Sequence, residues 1–247
     1  MGGLRLGQLA IGALLALAGP LGCGGGDEAT STAGSTGTEP PARDAAREPT
    51  VVAALGDSIT AGSPLWDPDP QIRAGLGSAA DERSQFEYWA SEGDPSLEFR
   101  NCGVFGERTD QIAVRLDECA AGADALIVQG GINDIAQGRP VADAAADLRA
   151  MVRAGLGGGL DVAIADVLPW NNGFPQARGP IDELNAMIET IGEEEGVPVL
   201  PFYETLEDPD RPGTMRAQLT IDGDHPSVAG YRLIAERALP RFEAIGG

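Results

Sequence analysis

The chain contains no lysine. All 17 of its basic residues are arginine, set against 38 acidic residues, and the formal net charge is −21. That balance argues against binding to nucleic acid or to an anionic membrane surface through the protein's own charge. The acid excess reads as a solvated surface. It would also suit a site that selects neutral or cationic ligands, although nothing in the sequence localises such a patch. Internal repeats are missing, and so is any glycine-rich phosphate fingerprint of the required spacing. The apolar stretch Leu9 to Ala18 is too short to cross a bilayer, which takes about 20 residues. One histidine is present, His225, and any imidazole chemistry falls to it. Cysteines are few: Cys23, Cys102 and Cys119.

What is there divides into three parts. Residues 1–23 read as an export signal, with Arg5 the only basic residue before the apolar stretch. Leu21-Gly22-Cys23 resembles the processing site of a bacterial lipoprotein, where the cysteine is acylated and becomes the new N-terminus. Leu21 and Pro20 depart from the usual Leu-small-small-Cys pattern, so simple cleavage and secretion, or an uncleaved anchor, stand as alternatives. Residues 24–49 are rich in Gly, Ser, Thr, Ala, Pro and charge, lack an apolar period, and read as a disordered tether. Residues 50–247 form the folded domain. The expected location is the cell envelope, membrane-tethered through lipid on Cys23 alone, with a periplasmic or secreted protein as the alternative.

With Cys23 taken by lipid, an exported protein permits a disulfide between Cys102 and Cys119. The expected topology puts Cys102 at a strand end and Cys119 at the far end of the returning helix, about 15 Å away over ten residues. A disulfide needs Cα atoms within about 7 Å. Compartment and geometry pull in opposite directions, and the pair stays open.

Val51–Leu55, Leu97–Asn101, Asp124–Gln129, Asp161–Leu168 and Val197–Phe202 read as strands, the first and third on clear apolar runs. Between them, helical spacing appears in 84–92, from Thr109 or Asp110 to Cys119, in 141–154 closed by Gly155–Gly159, in 181–195, and in the last helix, 227–239. Ala61 to Ala80, with Pro64, Pro68 and Pro70, reads as a surface excursion with no element of its own. Strands alternating with helices imply an α/β fold with a five-stranded parallel sheet covered on both faces. Ser58, Gly103, Asn133, Trp170 and His225 then all lie just beyond strand ends, at one edge of the sheet.

That edge has the parts of an acyl-transfer site. Ser58, in Gly56-Asp57-Ser58-Ile59-Thr60, is the candidate nucleophile and His225 the candidate base. Asp222, three residues before His225, can turn back to the far ring nitrogen, whereas the adjacent Asp224 is expected to point elsewhere. The N–H groups of Ser58 and Gly103 and the Asn133 amide are candidate oxyanion donors. Phe105 and Trp170 are candidate pocket walls. Taken singly, each residue has a plainer reading: a helix cap for Ser58, a surface loop for His225, a turn for Asn133, core packing for Trp170.

Gly56-Asp57-Ser58-Ile59-Thr60, Gly103, Gly131-Ile132-Asn133-Asp134 and Asp222 with His225 together resemble, in order, the four blocks of the GDSL or SGNH hydrolases over residues 50–240. The resemblance implies a flavodoxin-like three-layer α/β/α sandwich. It implies Ser58 as nucleophile, Asp222 and His225 as its partners, and Gly103 and Asn133 as oxyanion donors, with neither metal nor organic cofactor. Cys102 departs from the apolar residue usual before the second block's glycine. The expected enzyme is a carboxylic ester hydrolase acting on a small-molecule or saccharide ester of short acyl chain. Alternatives are a lysophospholipase or acyl-thioesterase, a carbohydrate deacetylase of the envelope and, more remotely, a non-catalytic binding lipoprotein.

The signal and tether generate one prediction. The mature protein partitions into detergent and its N-terminal peptide carries an acylated Cys23, as read by mass spectrometry; an unmodified, soluble N-terminus refutes it.

Overall fold

The computed structural model describes residues 49–242, without the side chains of 238–242, so Cys23 and nearly all of the tether lie outside the described residues. The apolar runs form one parallel sheet: β1 (Thr50–Gly56), β2 (Leu97–Gly103), β3 (Ala125–Val128), β4 (Asp161–Ala165) and β5 (Val199–Leu200), in the order β2-β1-β3-β4-β5. Alternate residues serve opposite faces. Leu55, Val128 and Ile164 point into one core, and Ala54, Ile127 and Ala163 into the other. A sheet covered on both faces is why β1, β3 and β4 read as nearly continuous apolar runs, whereas the edge strand β2 admits Glu98, Arg100 and Asn101.

The helices are α1 (Ser58–Ala61), α2 (Pro70–Leu76) and α3 (Phe86–Gly93) before β2, then α4 (Thr109–Val114) and α5 (Leu116–Ala120). After β3 come α6 (Ile132–Ala136) and α7 (Val141–Gly157), after β4 comes α8 (Arg178–Glu195), and after β5 come α9 (Phe202–Leu206) and α10 (Val228–Phe242). The first core is closed by Ile112 and Cys119 with Leu148, Met151, Leu184 and Ile188 of α7 and α8. The second is closed by Ile59, Phe86, Phe202, Tyr231 and Ile234. The chain leaves β1 toward β2 and then crosses to β3 on the other side, so strand order reverses between β1 and β3. That reversal opens the crevice in which ligands bind in sheets of this kind.

Three expectations change, and the open cysteine pair closes. Residues 61–80 do hold a helix, α2, because the Asp69 side chain accepts the Gln71 N–H at 2.7 Å and Pro70 opens the first turn; it buries no residue. Helix α7 runs on to Gly157, and Gly155 is its point of closest approach to the sheet, where an added Cβ would lie 2.8 Å from Leu126. The fifth strand keeps only Val199–Leu200, since Phe202 already belongs to α9. Cys102 and Cys119 are bonded, with Cα atoms 6.0 Å apart. The chain rises past the sheet edge at 104–108 before α4 descends and breaks at Arg115, so α5 reaches its end beside β2 rather than a helix length away. There the Arg100 guanidinium donates to the Cys119 carbonyl at 2.7 Å.

Burial raises three carboxyls furthest. Burial raises Asp57 to about 6, although the Ile59 N–H and Gln129 oppose it, and raises Asp166 to about 7. Glu87 is driven well above its ordinary value by burial, and neither of its oxygens has a partner among the described residues. A raised carboxyl holds a proton in the folded chain that the unfolded chain has released. Its contribution is present below the ordinary carboxylate range and lost as pH rises through the raised value. For Asp57 alone the loss is on the order of 3 kcal/mol. Stability in urea is therefore expected to fall between pH 4.5 and 7, and Glu87→Gln to shrink that fall and stabilise the protein at pH 7. A flat or rising profile contradicts it.

Candidate active site

Ser58 opens α1 directly from the end of β1. Asp57 caps that helix: its Oδ1 accepts the Ile59 N–H at 2.9 Å. The turn is fixed to the end of β3 by Gln129, whose Oε1 accepts the Asp57 N–H at 3.2 Å and the Thr60 hydroxyl at 2.8 Å. The Ser58 N–H, in the first turn, has no acceptor among the described residues.

His225 arrives on a loop that closes on itself. Its carbonyl accepts the Ile221 N–H at 3.0 Å and the Thr220 hydroxyl at 2.8 Å, while Gly223 turns with φ of 90°. Asp222 holds that loop and orients the ring together. Its Oδ1 accepts the N–H groups of Asp224 and His225 at 2.9 and 2.8 Å, and its Oδ2 lies 2.8 Å from His225 Nδ1. Partial burial pushes the Asp222 carboxyl up, but the His225 ring and the two backbone N–H groups outweigh it and hold the group below its ordinary value. Facing a carboxylate, Nδ1 carries the ring proton, so Nε2 accepts from the Ser58 hydroxyl at 3.1 Å. Ser58 and His225 are both buried, at 5% and 9% exposure. A hydroxyl hydrogen-bonded to an imidazole that a carboxylate orients can deliver an oxygen nucleophile and return a proton to a leaving group.

Asn133, in α6 just beyond β3, donates through Nδ2 to the Glu107 carbonyl at 3.0 Å and, over a longer 3.3 Å, to Asp57 Oδ2. The first bond fixes the amide beside Ser58's turn, and the second is long enough to be exchanged for a stronger acceptor. Its neighbour Asp134 is fully buried and structural: it accepts the Thr109 N–H at 2.9 Å and Arg139 Nη1 at 2.6 Å.

Gly103 is the correction. Its N–H donates to Asn101 Oδ1 at 2.9 Å and is not free for an oxyanion. The glycine serves packing instead, since a Cβ there would stand 2.0 Å from the Ala61 nitrogen where α1 crosses β2. Among the described residues the free N–H groups of this segment belong to Phe105 and Gly106, whose φ of 79° turns the chain. In the sequence, Gly106 is the one mark of that turn.

Between these elements lies a cleft of about 130 Å³. Its polar groups are Ser58, Asn133, Asp224 and His225; Ile59, Phe105, Ile132 and Trp170 wall it. Phe105 is 64% exposed, with its ring 6.0 Å from that of His225. Trp170 Nε1 donates to Asp224 Oδ1 at 2.5 Å, while His225 Nδ1 faces Asp222. Spacing alone did not pick out Asp57, Gln129 or Asp224. Among the described residues no three His, Cys, Asp or Glu side chains are grouped to hold a metal ion.

The sequence model of the GDSL-like lipase/acylhydrolase family matches residues 54–233. No curated protein matches the chain. Among solved structures, a lipolytic protein of the G-D-S-L family from Desulfitobacterium hafniense superposes with a TM-score of 0.64 at 23% identity, over 77% of this chain and 98% of its own. The lipase/acylhydrolase from Enterococcus faecalis gives 0.61 at 23% identity, over 80% of this chain and 96% of its own. The acetylxylan esterase from Geobacillus stearothermophilus gives 0.60 at 18% identity, over 78% and 93%. At these identities the superpositions speak for a common fold. The sequence match, which runs from β1 into α10, carries the relationship: this chain belongs to the GDSL-like lipase/acylhydrolase family.

Proposed function

We propose that this protein is a serine ester hydrolase of the cell envelope that cleaves carboxylic esters of short acyl groups through an acyl-enzyme. The observation that carries the reading is the unbroken hydrogen-bond chain from Asp222 through His225 to Ser58. Ser58 Oγ attacks the ester carbonyl and gives its proton to His225 Nε2, while Asp222 stabilises the imidazolium. The oxyanion is met by the Ser58 N–H, the Asn133 amide in exchange for its long bond to Asp57, and a free N–H of the Phe105–Gly106 turn. As the intermediate collapses, His225 returns the proton to the departing alcohol and the acyl group stays on Ser58. Water, deprotonated by His225, then releases the acid.

A cleft of about 130 Å³ supports a short acyl group, acetyl to butyryl, well below the 300–1,000 Å³ of sites for drug-sized ligands. The alcohol part is a small molecule or a sugar. One structural neighbour is named as an acetylxylan esterase, which keeps a carbohydrate deacetylase as the second reading.

Ser58→Ala and His225→Ala are each expected to remove nearly all turnover while leaving the fold intact by circular dichroism. The double variant is expected to be scarcely worse than either, because the members act as a unit; additive losses contradict the assignment. Asn133→Ala is expected to lower kcat about 10²–10³-fold. A serine-directed fluorophosphonate is expected to label Ser58, and an unlabelled protein points to the non-catalytic alternative. Across aryl esters of increasing acyl length, kcat/KM is expected to peak at four carbons or fewer, on the order of what the cleft holds. A steady climb to ten or more carbons replaces the short-acyl reading with a lysophospholipase or thioesterase.

A further inference from the structure

Asp224 stands in the Ser58 cleft but takes no part in the hydrogen-bond chain. Its side chain is fixed from outside that chain. Oδ1 accepts Trp170 Nε1 at 2.5 Å and Asn172 Nδ2 at 2.7 Å, and the same Asn172 amide also holds the Asp222 carbonyl at 3.0 Å. Trp170 is itself held by Gly173, where a Cβ would come within 2.2 Å of the indole ring. Oδ2 has no partner among the described residues.

No arginine lines the cleft. The arginines near Phe105 and Asn133 are paired with other carboxylates: Arg108 with Asp110, Arg115 with Glu107, and Arg139 with Asp134 and Asp147. The carboxylate therefore faces the substrate un-neutralised and immobile, with the exposed Phe105 ring and the Trp170 indole in the same cleft. A fixed anion between aromatic surfaces attracts a cation by charge and by the ring quadrupoles, and it repels an anion.

We propose that Asp224 is a specificity-determining residue, selecting esters whose alcohol carries an ammonium group and rejecting those that carry a carboxylate or phosphate. The proposal rests on the ester-hydrolase reading and adds its substrate class. It also gives the acidity of the chain a local consequence, a cleft in which the reacting ester meets a single uncompensated charge.

The test compares three acetyl esters: those of choline, of its neutral isostere 3,3-dimethylbutanol, and of 3-hydroxypropanoate. For the natural protein at low salt, kcat/KM is expected to be about tenfold higher for the choline ester than for the neutral one, and lower again for the anion. Asp224→Asn keeps an oxygen for Trp170 and Asn172 and removes only the charge, so the three values are expected to converge. In the natural protein, 0.5 M salt is expected to narrow the same ratios, a reading that needs no variant, because exposed charges are screened within ~4–5 Å. Equal ratios in natural and Asp224→Asn proteins, or ratios indifferent to salt, overturn the proposal. Binding of choline and of 3,3-dimethylbutanol to the Ser58→Ala protein, followed by calorimetry, separates the two readings. A choline preference that vanishes in the Ser58→Ala, Asp224→Asn protein supports charge selection even if no ester is turned over, in which case the hydrolase reading alone fails. No preference, or one that survives Asp224→Asn, overturns charge selection whatever the turnover.

Discussion

The register of β1 against its two neighbours is the constraint from which the rest follows. Gly56 lies level with Gly103 on one side, and Leu55 with Val128 on the other. Three chain segments therefore leave the sheet at one height, and their first residues meet. Gln129 reaches across from β3 to hold Asp57 and Thr60, and Asn101 reaches from β2 to donate to the Thr60 carbonyl at 2.7 Å. Arg115 ties the same corner from below through the carbonyls of Gly56 and Cys102. Helix α1 has only four residues, too few to hold itself in water, so these outside bonds keep Ser58 in place.

Carboxylates organise most of the site in a chain that has acid to spare. Asp57, Asp134 and Asp222 each gather N–H groups and thereby set the start of a helix, the approach of a second one, and the orientation of an imidazole. Their environments make them different acids. Asp57 is fully buried and raised, whereas Asp222 is partly solvated, supported by three hydrogen bonds and lowered. Burial disfavours the charge, and donated N–H groups favour it. The group that must stay ionised to orient His225 is the one that has the donors.

The cleft is small and its walls are largely contributed by short segments just past strand ends rather than by a lid. Helix α2, the ordered part of the long excursion after Ser58, buries no residue and lines no part of the cleft. Whatever closes over a substrate must therefore come from Phe105, exposed beside His225, and from the Trp170–Asp224 pair. Those are aromatic and polar surfaces, which supports the short-acyl proposal.

The sequence by itself determined the sheet and the order of the elements, and it singled out Ser58, Asp222 and His225, which the fold joins in one hydrogen-bond chain. Four of the five strands are apolar runs, while the edge strand β2 carries Glu98, Arg100 and Asn101, and Ser58 and Asn133 each follow a strand end that glycine marks. Local pattern was enough because parallel crossover connections leave few ways to arrange such a chain. Only the tertiary structure decided matters that depend on distance between remote segments. It closed Cys102 onto Cys119, because α4 and α5 break at Arg115, which helical spacing did not reveal. It took the Gly103 N–H away for Asn101 and gave that glycine to the crossing of α1. And it turned Asp224 toward Trp170, 54 residues away, because a carboxylate beside a histidine can face either side of its loop until a donor from another strand end arrives.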